Sequence, residues 1–122
     1  MSKKNAILDK SFQFSIRIVK LYKYSVKGHK EFVLSKLLLR AGTSIGANIN
    51  EAQAAQSKAD FIAKMSIASK EAREAQYWIK LLIETDYLDA TERYVETLLD
   101  ESNEIAKLLT SIVKTSQLGN NV

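Results

Sequence analysis

The 122-residue chain has no cysteine, no proline and only four glycines. Without cysteine there can be no disulfide, no thiolate nucleophile and no thiolate metal site. An all-β chain of this length needs more turn residues than four glycines supply, so their scarcity points to helices. Long uncharged runs are missing too. The longest, Ala41 to Asn50, has ten residues, about half of what a membrane-spanning helix requires. Near the N-terminus, Asp9, Lys10 and Arg17 break up what would have to be the apolar core of a signal peptide. These absences predict a cytoplasmic protein. At 122 residues it has one domain, because that length holds one core and not two.

The residues that are present repeat at helical spacing. In the first segment Leu8, Phe12, Ser15, Val19, Tyr22 and Val26 recur at alternating steps of four and three, and Gly28 offers a stop. A second helix is expected from about Phe32 to Gln56, with Leu34, Leu37, Leu38, Ala41, Ile45, Ile49 and Ala52 on one face. Ser57 followed by Asp60 reads as a capping-box variant opening a third helix, whose stripe is Phe61, Met65, Ala68, Ala72, Ala75, Ile79 and Leu82. Asp89 with Glu92 gives a second start signal, and Leu98, Ser102, Ile105, Leu109 and Ile112 line the helix that follows. Four such helices with short connections predict an all-α fold, an antiparallel up-down-up-down four-helix bundle. The domain spans residues 1–116, and residues 117–122 read as a frayed, flexible tail.

Inside the second helix, Gly42-Thr43-Ser44-Ile45-Gly46 spells G-x-S-x-G. A nucleophile elbow needs a strand before its serine and a histidine after it. Here the preceding residues are helical, and the only histidine, His29, comes earlier in the chain. A phosphate loop fails as well, since no Lys-Ser/Thr follows the second glycine. Each glycine costs about 1 kcal/mol relative to alanine within a helix. Two of them four residues apart therefore predict a flat stripe where another backbone packs closely. Ser44 and Asn48, near its buried edge, need hydrogen-bond partners.

At these residues the chain resembles a known family. "LLLRAGTSIGANINEAQAAQSKADFIAKMSIASKEAREAQYWIKLLIETDYL", Leu37 to Leu88, is similar to the small four-helix proteins called 23S rRNA-intervening-sequence proteins. It also resembles the accessory variability proteins of diversity-generating retroelements. The resemblance covers about residues 7–116 and is most specific at "SKLLLRAGTSIGANI" and "KEAREAQYWI". It implies a bundle that assembles into a homopentameric ring, with no catalytic activity, encoded within an insertion of a ribosomal RNA gene. From the retroelement relatives it implies nucleic acid and a reverse transcriptase as partners.

The residues give a separate reason to expect self-association. On a helical wheel the first helix has a second apolar stripe, Ile7, Phe14, Ile18 and Leu21, about 120° from the first. The third helix carries Ile67, Trp78 and Leu81 away from its Phe61–Leu82 face. A bundle core needs one stripe per helix, so Phe14, Ile18, Leu21, Ile67, Trp78 and Leu81 are the expected oligomer interface. A core broad enough to cover both stripes is the alternative.

Charge is divided along the chain. Residues 1–40 hold ten Lys/Arg against Asp9 and Glu31, while the rest of the chain is net acidic. Arg17, Lys20, Lys23, Lys27, Lys30, Lys36 and Arg40 are the expected nucleic-acid contacts, RNA first. Two other readings remain open: an ordinary solvated face, or pairing with Glu92, Glu96, Asp100 and Glu104 of a neighbouring copy. One loop histidine cannot supply the ligands of a di-iron carboxylate site. Neither metal nor cofactor is therefore expected. Glu71 and Glu74 are expected to turn outward into ion pairs along their own helix, and Glu51 to be partly buried near Arg40 or Arg73.

Overall fold

A computed structural model describes residues 3–120, apart from the side chains of Lys3, Lys4, Asn5, His29 and Asn120. Among the described residues there are α-helices and no strands: α1 (Lys3–Tyr24), α2 (Val33–Ala52), α3 (Lys58–Glu84) and α4 (Arg93–Asn120). A π-helical turn, Ser25–His29, continues α1. Each helix packs on its neighbours in chain order, and α1 closes the circuit against α4. This is the four-helix bundle that the periodicity predicts.

Specific residues fix the helix ends. Ser57 caps α3, its hydroxyl accepting from the Asp60 N–H at 3.0 Å, while the Asp60 carboxylate accepts from the Gln56 N–H at 3.3 Å. The start of α2 is held by Glu31, whose carboxylate accepts from the backbone N–H groups of Val33, Leu34 and Ser35 at 3.1, 3.1 and 2.6 Å. Those are three of the four donors a helix start leaves unpaired. Burial pushes the Glu31 pKa up, but these bonds outweigh it and hold the carboxyl below its ordinary value. At the end of α3, Asp86 takes the left-handed conformation with φ 67°. Tyr87 N–H then reaches Leu82 C=O at 2.9 Å and Asp86 N–H reaches Ile83 C=O at 3.1 Å, a Schellman closure.

Three boundaries differ from the sequence reading. Gly28 lies within the π-helical turn, and the left-handed residue that ends it is Lys30, at φ 56°. Asp89 spends its carboxylate on the N–H and hydroxyl of Thr91, so α4 starts four residues later, at Arg93. The last helix also continues through Gln117, Leu118 and Gly119, where a frayed tail is expected; residues 121–122 lie outside the described ones.

The core corrects the reading of α1. Ile7, Phe14, Ile18 and Leu21 are its buried stripe, each at most 3% exposed, whereas Phe12 is 64% and Val19 37% exposed. Phe14, Ile18 and Leu21 therefore belong to the interior of one bundle and cannot form an interface between copies. Of the stripe taken for the core, Phe12 and Val19 lie on the outer flank, Ser15, Tyr22 and Val26 are half-buried, and Leu8 packs, partly buried, against the core. The cause lies in α2: a Cβ added at Gly42 would stand 2.9 Å from Ile18 Cγ1, and one at Gly46 would stand 3.2 Å from Ser15 Oγ and 3.4 Å from the Ser11 carbonyl oxygen. The missing side chains leave a slot that admits Ile18 and brings the α1 backbone close. Opposite, α3 buries Ala68, Ala72 and Ala75 completely, so α2 and α3 also pack closely.

Candidate nucleic-acid interface

The seven basic residues singled out by the sequence fall into two sets. Arg17 is structural. Its guanidinium pairs with Glu101 of α4, donates to the Tyr94 carbonyl at 2.7 Å and to Thr97 Oγ1 at 3.0 Å, and lies 4.9 Å from the centre of the Tyr94 ring. The Tyr94 hydroxyl donates back to the Arg17 carbonyl at 3.2 Å. Burial raises the Tyr94 pKa, with Glu101 adding to the effect and Arg17 opposing it. Nearer the N-terminus of α1, Lys10 Nζ meets Glu104 at 2.5 Å, and that bond raises the lysine pKa. Glu101 and Glu104 of α4 thus pair with α1 of the same chain, while Glu92, Glu96 and Asp100 are exposed and in none of these ion pairs.

Arg40 is also engaged. From α2 it reaches Glu74 of α3 at 2.9 Å and Glu71 at 3.8 Å, and Glu74 accepts from Trp78 Nε1 at 3.3 Å. Glu71 is 7% exposed, against the expectation that it turns outward. Its position at the α2–α3 seam explains the difference, since its partner sits on the other helix rather than its own. Glu51 departs as well: it is exposed and pairs with Lys64 at 3.5 Å, not with Arg40 or Arg73. Ser44 donates to the Arg40 carbonyl at 2.5 Å, and Asn48 Nδ2 donates to the Ser44 carbonyl at 2.8 Å, so these polar groups are satisfied within α2.

The second set is different. Lys20, Lys23, Lys27, Lys30 and Lys36 are all exposed, and no ion pair to any of them occurs among the described residues. They run from the last turns of α1 through the π-helical turn into the start of α2. Lys20 shares a hollow with Asp86, Asp89 and Glu92, whereas Lys23, Lys27, Lys30 and Lys36 stand in solvent, where a polyanion can reach them.

Two apolar flanks lie on either side of α2. On the α1 side are Phe12 and Val19, with Ser15 between them against Gly46. On the α3 side are Ile67, 43% exposed, and the half-buried Trp78 and Leu81. Tyr77, also exposed, meets the Trp78 ring edge-on at 5.1 Å between centroids. Phe12 and Val19 were missed as surface residues because their stripe competes with Ile7–Leu21 at the same period, and only the glycine slot separates them. Among the described residues no three His, Cys, Asp or Glu side chains gather as metal ligands, and no helix is long and apolar enough to cross a membrane.

This architecture, an all-α bundle with a glycine slot in its second helix and a free lysine row at one end, places the molecule among the small helical bundles. The model of the 23S rRNA-intervening sequence protein family matches residues 3–111, and the chain belongs to that family. It is also similar to a crystal structure of a protein of unknown function from the S23 ribosomal protein family of Bacteroides thetaiotaomicron. The two are 56% identical with a TM-score of 0.88, over 93% of this chain and 99% of the other. No curated protein matches it.

Proposed function

We propose that the protein is a non-catalytic, cytoplasmic, homo-oligomeric bundle that binds RNA through its phosphate backbone. The observation that carries this reading is the row of Lys20, Lys23, Lys27, Lys30 and Lys36, exposed and free of ion pairs among the described residues. Membership of a family named for a ribosomal RNA insertion agrees with it. Arg17 and Arg40 leave the binding set, because both tie helices together.

Self-association rests on the two flanks of α2. Phe12 and Val19 on one side and Ile67 and Trp78 on the other are unlike surfaces. Contact between unlike patches is heterologous, and a heterologous contact that closes on itself makes a ring. A ring of five subunits follows from the family resemblance and would repeat the lysine row around its axis. The second reading is an accessory module that docks a protein such as a reverse transcriptase. It is favoured by the same uncovered Phe12 and rests on the retroelement resemblance.

The test is RNA binding by fluorescence anisotropy across a salt series. Replacing Lys20, Lys23 and Lys27 by glutamine should weaken binding of a single-stranded 20-mer. It should also flatten the log–log salt slope by about 0.7 for each phosphate that is no longer neutralised. An unchanged slope refutes the lysine row. In light scattering, Phe12→Glu should reduce the oligomer mass while leaving the helical circular dichroism intact, and an unchanged mass refutes the proposed flank.

A further inference from the structure

The C-terminal two-thirds of the chain is net acidic, yet the seam between α3 and α4 is lined by cations. Two adjoining hollows of about 500 and 350 Å³ run along it and share Arg73 and Thr110. Lys70, Arg73, Lys107 and Lys114 line them, and no carboxylate does so among the described residues. All four cations are exposed and outside every ion pair found among those residues.

The reason is a sorting of charge between seams. On α3, Glu71 and Glu74 turn to Arg40 of α2. On α4, Glu101 and Glu104 turn to Arg17 and Lys10 of α1. Along the stretch the two hollows cover, these four carboxylates go to the outer partners, and basic and neutral groups line the shared seam. The total charge conceals this, because it adds acids that point elsewhere.

The rest of the lining indicates which polyanion fits. Ser66 and Ser69 offer hydroxyls, the Thr110 hydroxyl donates to the Ala106 carbonyl at 2.9 Å and is left to accept, and Gln76 Nε2 donates across the seam to Asn103 Oδ1. Such groups bond phosphate oxygens and ribose 2′-hydroxyls. No aromatic ring lines the groove among the described residues, so there is no platform on which an unstacked base could rest, and the contacts on offer are to the backbone. From Asn103 to Gln117 the wall formed by α4 is about 21 Å long at 1.5 Å per residue, which faces several successive phosphates.

We infer that the α3–α4 seam is a second polyanion track, which takes the sugar–phosphate backbone of double-helical RNA without reading its sequence. The inference rests on the RNA reading above for the identity of the polymer, but not on the α1 lysine row.

Two variants separate the two surfaces: Lys70→Gln/Arg73→Gln/Lys107→Gln/Lys114→Gln in the seam, and Lys20→Gln/Lys23→Gln/Lys27→Gln on α1. Each is titrated with a 20-base-pair RNA duplex, the matching single strand and inorganic polyphosphate over a salt series. Circular dichroism and light scattering monitor fold and mass. The seam variant should bind the duplex more weakly, equally for unrelated sequences, with a salt slope flatter by about 0.7–0.9 for each phosphate left unneutralised. Weakening in the seam variant alone supports this inference and removes the lysine row. Weakening in the α1 variant alone keeps the earlier reading and overturns this one. If wild-type protein binds no RNA, both fall. Preference of the seam for single strands or for polyphosphate over the duplex overturns the assignment. So does a change in oligomer mass without a change in RNA affinity, since the groove would then be a contact between copies.

Discussion

Gly42→Ala offers the sharpest test of the packing described above. The new Cβ would lie 2.9, 3.0 and 3.3 Å from Cγ1, Cγ2 and Cδ1 of Ile18. Ile18 is 1% exposed and enclosed by the core, so it has no free space to move into. Two terms oppose each other. Alanine gains about 1 kcal/mol over glycine inside a helix, and forcing a methyl group into a packed core costs about 1–3 kcal/mol. The clash wins, and a net loss of about 1 kcal/mol is expected. At an m-value of about 2 kcal/mol/M, that lowers the urea midpoint by roughly 0.5 M. Gly46→Ala is the control one turn away. Its Cβ would meet the Ser15 hydroxyl at 3.2 Å and the Ser11 carbonyl oxygen at 3.4 Å, contacts that a small adjustment relieves, so its effect should be close to zero. A cycle with Ile18→Ala completes the argument. That substitution alone should cost about 2–5 kcal/mol, and at least about 1 kcal/mol less when residue 42 is already alanine. Unfolding is followed by circular dichroism at one fixed protein concentration, because the midpoint of an oligomer shifts with concentration. If Gly42→Ala raised the midpoint as an exposed glycine replacement does, α1 would not rest in that slot.

Two other substitutions probe helix ends. Glu31→Gln should destabilise the protein by about 1 kcal/mol near neutral pH, as loss of a helix cap does. Because the folded pKa of Glu31 lies below its ordinary 4.5, its stabilisation is full above that value and lost as pH falls through the folded pKa. The gap between wild type and variant in urea midpoint should therefore stay constant down to about pH 5 and close below it; a gap independent of pH would contradict the cap. Asp86→Gly should stabilise by about 1 kcal/mol, since glycine adopts φ 67° without strain and a negative charge leaves the C-terminal end of α3. A fall in melting temperature would rule this out.

The fold was legible because α2, α3 and α4 each carry one dominant stripe: Ile45 and Ile49, Met65 and Ile79, and Leu98 and Leu109 are all buried as the spacing predicts. The first helix was not, because it carries two apolar stripes of equal period, and periodicity does not say which of them meets glycine. The charged residues behaved similarly. Local charge pointed correctly to exposed lysines in the first third of the chain, but it could not separate Arg17, which spans to Glu101 eighty-four positions away, from Lys20 close by, which has no such partner among the described residues. The cations of α3 and α4 stayed hidden for the same reason. Which carboxylate faces which seam depends on the order of the helices around the bundle, and that order is a tertiary property.

The slot in α2 also bears on the order in which the molecule comes together. Five residues, 53–57, join α2 to α3, so closing that hairpin spends little chain entropy, and the alanines of α3 allow immediate close approach. The first helix leaves the ribosome earlier than either, yet it has two oily sides and nothing to choose between them. Only when the hairpin has formed is there a notch shaped for Ile18, and only then does one side acquire a place to go. Of these four helices, the earliest made is thus the one whose orientation is decided by what is made after it.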